Sequence, residues 1–159
     1  MEEYTQDCTL FPDNTQATDV PSSAEEYQEA ISDVWGMLRK CAPKDGEQIE
    51  YMLVRRYKDG RSDHYNLGRS KACDIHIDDR QVSGVHASIY CDYQEARMRV
   101  FLEDNSSHGT YINDANTQLR KGQRVELGSG DEIYLLYPDP KDKRRSLNCA
   151  FIFINMRER

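Results

Sequence analysis

The sequence has 159 residues, 38% hydrophobic and 31% charged, with a net charge of −7. That size suits one ordinary domain with some additional chain. No apolar run approaches the roughly 18 residues a membrane helix needs, and the acidic start "MEEYTQDCTLF" lacks the pattern of a secretion signal. Cys8, Cys41, Cys73, Cys91 and Cys149 are odd in number and widely spaced, with no C-x-x-C pair. They read as reduced structural thiols, not as a disulfide framework or zinc site.

The charge is unevenly spread. Residues 1–33 hold nine acids and no Lys or Arg, leaving 19 acids against 21 bases in the remainder. Such a tail repels phosphate backbones, so direct nucleic-acid binding is not expected. Residues 1–22, with Pro12, Pro21 and many Thr, Asn and Asp, cannot bury enough apolar area to order themselves and read as a flexible tail. Thr5-Gln6 and Thr15-Gln16 lie in this tail, and a third pair, Thr117-Gln118, lies in the body. Ser22 with Glu25, or Ser23 with Glu26, has capping-box spacing. Tyr27, Ile31, Val34 and Leu38 share a helical face, interrupted by Gly36. The pattern predicts a short helix at about 23–33 and a strand at about 34–40.

From there the chain reads as strand after strand. "QIEYMLVRRY" (48–57) is followed by the turn signal "KDG" (58–60), with "DHYNLG" (63–68) as the expected hairpin partner. "CDIHID" places Ile75 and Ile77 on one face, and His64 and His76 alternate with apolar neighbours as strand residues do. "HASIYCDY" and "RMRVFLED" flank "QEA". "TYIN", "RVEL", "EIYLLY" and "NCAFIFIN" follow, split by turns such as "GSGD" (128–131), and the basic run "KDKRR" (141–145) reads as a solvated loop. About eleven short strands at close spacing predict an all-β sandwich.

Four loops carry residues that strands do not require. These are Gly68-Arg69, Ser83-Gly84-Val85-His86, "DNSSHGTYIN" (104–113) and "GSGDEI". Alone, Arg69 reads as a surface arginine and Ser83 as a turn serine. An arginine beside a serine hydroxyl and glycine-permitted backbone N–H groups makes an anion site without metal. A phosphothreonine, with about −1.5 to −2 charge and three acceptor oxygens, matches it. No carboxylate pair, metal cluster or Ser/His/acid set stands at catalytic spacing, and Ser83 with His86 lacks an acid partner. No catalytic residue, metal or cofactor is expected.

The order G-R, S-x-x-H, (N/H)-G-T and N in strand-separating loops resembles the forkhead-associated (FHA) domain over residues 34–155. The resemblance implies an eleven-stranded sandwich in which Arg69, Ser83 and Gly84 hold the phosphate. It places Ser107 and His108 on the peptide, with Arg80 and Lys71 as candidates for the base that reads the third residue past the phosphothreonine. Gly68, His86, Gly109, Thr110 and Asn113 become structural supports. His108 stands where the family has Asn, and Gly84 where some members have a contacting side chain. The Thr-Gln tail before such a domain resembles the N-terminal region of checkpoint effector Ser/Thr kinases. That resemblance implies a binding module preceding a kinase, with residues 156–159 opening a linker, since G-x-G-x-x-G, H-R-D and D-F-G are absent from this stretch. It also implies phosphorylation at Thr5 and Thr15, capture of that tail by a second copy or of a phosphorylated adaptor, and residence in the nucleus as well as the cytoplasm. The alternative is an FHA scaffold or regulator without a kinase.

Overall fold

The computed structural model describes residues 33–56, 63–94 and 97–157. The predicted helix at 23–33 falls almost wholly outside them, as do the tail and the "KDG" turn; Asp33 is a turn residue.

Eleven strands form two sheets. Strands β1 (Val34–Lys40), β2 (Glu50–Val54), β7 (Thr110–Ile112), β8 (Gln118–Leu119), β10 (Glu132–Tyr134) and β11 (Ala150–Asn155) build a six-stranded sheet ordered β2-β1-β11-β10-β7-β8. Strands β3 (Asp63–Gly68), β4 (Ile75–His76), β5 (Ala87–Gln94), β6 (Arg97–Asp104) and β9 (Arg124–Glu126) build a five-stranded sheet ordered β4-β3-β5-β6-β9. The all-β sandwich expected from strand spacing is therefore the observed fold, and the strand expected at 34–40 is β1.

Period-two patterning sets the registers. Ala87, Ile89 and Cys91 of β5 face Asp104, Leu102 and Val100 of β6 on one side and Leu67, Tyr65 and Asp63 of β3 on the other. All nine are buried. In the opposite sheet Phe151 and Phe153 pair with Lys40 and Leu38. Leu38, Phe151 and Phe153 join Trp35 and Leu53 in the same core. Gly36 sits at a bulge of β1, where an added Cβ would lie 2.8 Å from Phe153 Cε1. The interruption in the helical pattern at Gly36 is thus a packing requirement of a strand.

Two expectations are corrected. First, β2 and β3 do not form a hairpin: β2 pairs with β1, and β3 with β4 and β5. Side chains join them instead, because the Tyr65 hydroxyl bonds Val54 N and O (2.9 and 3.1 Å) and Asp63 Oδ1 accepts from Arg56 N (2.9 Å). A D-G turn signal states that the chain reverses, not which sheet it enters. Second, "KDKRR" is not wholly loop, since Lys143–Asn148 form helix α1 with Asp142 as N-cap. One strand was not expected: β8 carries no sequence signal. It is a two-residue strand held by pairing Thr110 with Leu119 and Tyr111 with Gln118.

Candidate functional site

The loops after β3, β4, β6 and β10 meet at one end of the sandwich. They line a cleft of about 640 Å³ with Arg69, Arg80, Ser83, Ser107, His108 and Tyr137 among its walls. Rigid strands holding short loops is the arrangement in which binding groups are positioned most closely.

Arg69 is fixed from behind. Its backbone N–H donates to Ser83 O (2.9 Å) and its Nε–H to Val82 O (3.0 Å). No ion pair engages its outer guanidinium nitrogens among the described residues. They are the fork that a phosphate or carboxylate accepts from. Beside it, Ser83 Oγ accepts from Ser107 N–H (3.2 Å). That contact uses an oxygen lone pair and leaves the hydroxyl hydrogen to donate to a bound oxyanion.

His86 is buried behind these groups and ties two loops together. Its Nδ1 accepts from Ser83 N–H (3.1 Å), so Nε2 carries the proton and donates to Gly109 O (3.1 Å). Burial pushes its pKa below the ordinary histidine value, against the pull of Gly109 O and Asp104. The imidazole is therefore neutral, as this bonding pattern requires.

Gly68 allows β3 to approach the Ser83 loop. An added Cβ there would lie 2.2 Å from Gly84 O and 2.9 Å from His86 N. Gly109 has φ +99° and is packed under Gln118, whose Nε2 also donates to His108 O (3.0 Å). Asn113, with φ +67°, braces the turn after β7 by accepting from Glu132 N–H (2.9 Å). Left-handed φ suits both residue types.

Two residues named on the resemblance do not line the cleft. Lys71 is exposed in the turn after β3, and the Gly84 carbonyl is turned away to accept from Ser70 N–H (3.0 Å). An added Cβ at Gly84 would meet nothing within 4 Å, so a side chain fits there.

Asp104 and Ser106 are supports that sequence reasoning missed. Asp104 is fully buried, and its Oδ1 accepts from Ser106 N (3.1 Å), Ser106 Oγ (2.6 Å) and Thr110 Oγ1 (2.7 Å). Ser106 Oγ in turn accepts from Gly109 N–H (2.7 Å). The available signal was the D-x-S spacing at the end of a strand, where a small acid and hydroxyls knit a tight loop.

Residues 65–136 match the FHA domain family. The chain carries an FHA domain. The X-ray structure of the N-terminal FHA domain of Rad53p from S. cerevisiae, in complex with a phosphothreonine peptide, is similar to it with a TM-score of 0.58. That likeness covers 77% of this chain and 94% of the other at 19% identity, and bears on the fold alone. The chain is 34% identical over 113 residues to the E3 ubiquitin-protein ligase CHFR of Pongo abelii, covering 70% of this chain and 18% of the ligase. It is 37% identical over 83 residues to the serine/threonine-protein kinase cds1 of Schizosaccharomyces pombe, covering 50% of this chain and 18% of the kinase. The chain thus spans about a fifth of each of these relatives. The FHA domain is the shared part, and it is a binding module.

Proposed function

We propose that this FHA domain reads phosphothreonine in a protein ligand. The observation that carries the reading is Arg69, clamped through Nε to Val82 O, beside a Ser83 hydroxyl whose oxygen is already occupied by Ser107 N–H. One group supplies charge-assisted donors and the other a directed hydroxyl, at the mouth of one cleft. The solved Rad53p relative, whose own FHA domain holds a phosphothreonine peptide, supports the reading.

For the parent protein we propose a nuclear checkpoint Ser/Thr kinase. The Thr-Gln pairs at Thr5 and Thr15, of the kind that DNA-damage kinases phosphorylate, and the likeness to cds1 support it. In this reading the phosphorylated tail of one copy is a ligand for the FHA domain of another, and the resulting pair activates in trans. A phosphorylated adaptor is a second ligand of the same chemistry. The likeness to CHFR, a ubiquitin ligase, favours the alternative of a module in a protein without a kinase.

The test is titration of the unphosphorylated 159-residue chain with a peptide of residues 9–21 phosphorylated at Thr15. Unphosphorylated peptide and the Arg69→Ala chain are the controls. Removing one partner of a desolvated charge pair costs about 2–5 kcal/mol, so Arg69→Ala should weaken binding roughly 30-fold or more. Equal binding of phosphorylated and unphosphorylated peptide would refute phosphate reading. Binding of other phosphothreonine peptides, but not this one, would assign the ligand to another protein.

A further inference from the structure

A second hollow of about 350 Å³ shares the Ser107–His108–Gly109 ridge with the cleft and lies on its other side, walled by Gln118, Arg120 and Lys121. The two bases sit in the turn between β8 and β9. That turn is closed by Gln123, whose side chain accepts from Arg120 N–H (3.1 Å) and whose backbone N–H donates to Arg120 O (2.8 Å). Gly122, with φ +87°, donates its N–H to Asp104 O (2.7 Å), and Asp104 N–H donates to Gln123 O (3.1 Å). The basic turn is thus anchored to the strand end from which the Ser107 loop springs.

Arg39, Arg56, Arg99, Arg124 and Arg145 each face a carboxylate within 4 Å. Neither Arg120 nor Lys121 has such a partner among the described residues. Asp104 lies at the floor of the hollow, fully buried, with Oδ1 shared by three donors. A ligand anion is therefore met at the rim, by the two bases. A phosphothreonine brings about −1.5 to −2 charge to Arg69 and Ser83, which leaves the Arg120–Lys121 pair for a further negative group on the same ligand.

We propose that Arg120 and Lys121 form a second anion subsite, which takes a carboxylate or a second phosphate flanking the phosphothreonine. The inference rests on the phosphothreonine reading above. It makes the ligand class an acidic phosphothreonine segment. The protein's own first 33 residues, with nine acids, no base, and Asp13 and Asp19 around Thr15, have that character.

The test presents the full unphosphorylated chain and its Arg120→Gln/Lys121→Gln variant with a phosphothreonine-centred peptide library. Four positions on either side are randomised over all residues and phosphoserine. The wild-type chain should enrich acidic residues at one or more positions, and the double variant should lose that enrichment. Affinity for the selected acidic peptide should fall roughly three- to tenfold in the variant, as two rim charge pairs supply, while affinity for its Asn/Gln counterpart stays unchanged. Enrichment of Asp and Glu would identify a carboxylate, and enrichment of phosphoserine a second phosphate. Acidic enrichment that is missing from the wild type, or kept by the double variant, overturns the subsite. Failure of the wild type to retain any phosphothreonine peptide overturns the phosphothreonine reading itself, and this inference with it.

Discussion

Gly68→Ala and Gly84→Ala make the same chemical change on the two sides of one close contact, yet their expected effects differ sharply. At Gly68 the new Cβ would lie 2.2 Å from Gly84 O and 2.9 Å from both Gly84 C and His86 N. These are backbone atoms, so β3 and the Ser83 loop must separate by about 1 Å to reach ordinary contact distance. Three hydrogen bonds cross that seam: Arg69 N to Ser83 O (2.9 Å), Ser70 N to Gly84 O (3.0 Å) and His86 N to Leu67 O (2.8 Å). Each contributes about 0.5–1.5 kcal/mol net, and overpacking adds about 1–3 kcal/mol. Gly68→Ala should therefore cost about 3–5 kcal/mol and lower the melting temperature by about 10 °C or more. At Gly84 the Cβ meets nothing within 4 Å, and φ is not left-handed, so Gly84→Ala should stay within about 0.5 kcal/mol of wild type. Thermal denaturation measures both, and peptide titration should show the Gly68 variant binding worse because Arg69 and Ser83 move apart. Equal behaviour of the two variants would refute the steric argument.

Two further predictions concern the supports of the site. Burial lowers the pKa of His86, so its neutral form contributes stability that is complete above about pH 6.5. That contribution is lost as pH falls toward and through the depressed folded value, because the unfolded chain then binds the extra proton. The stability advantage of wild type over His86→Asn should therefore shrink between pH 7.5 and pH 5, by at most about 1.4 kcal/mol per pH unit for one proton. A constant difference across urea denaturation curves in that range would contradict it. Asp104→Ala removes the acceptor shared by Ser106 and Thr110 and should cost about 3 kcal/mol in urea denaturation, with a smaller loss for Asp104→Asn, which keeps one oxygen. A loss below about 1 kcal/mol for the alanine variant would show that the hydroxyls find other partners.

Much of this FHA domain was legible along the chain. Alternation in "HASIYCDY" and "RMRVFLED" marked β5 and β6, since a half-buried strand exposes every second residue to water. Arg69 and Ser83 stood out because strands have no use for them, and their types already state an anion-binding chemistry; Ser107 and His108 took their peptide-binding role from the resemblance. Other features depend on neighbours distant in sequence. The separation of β2 from β3 into different sheets depends on which partner strand offers a matching buried face, and Cys91, Ile89 and Ala87 offer it to β3. Gly68 reads locally as a strand end and acquires its importance from Gly84 O, 16 positions away. Asp104 looks like any acid before a turn until burial and three donors make it a hub. Arg120 and Lys121 look like a solvated turn until the end of β6 fixes them beside the His108 ridge. Sequence by itself determined the strands other than β8, the acidic tail and the kinds of group at the site, because these follow from residue chemistry and period-two patterning. Only the tertiary structure decided strand partnership, close backbone approach and which charges share a wall, because each is set by contacts between segments that the chain brings together only on folding.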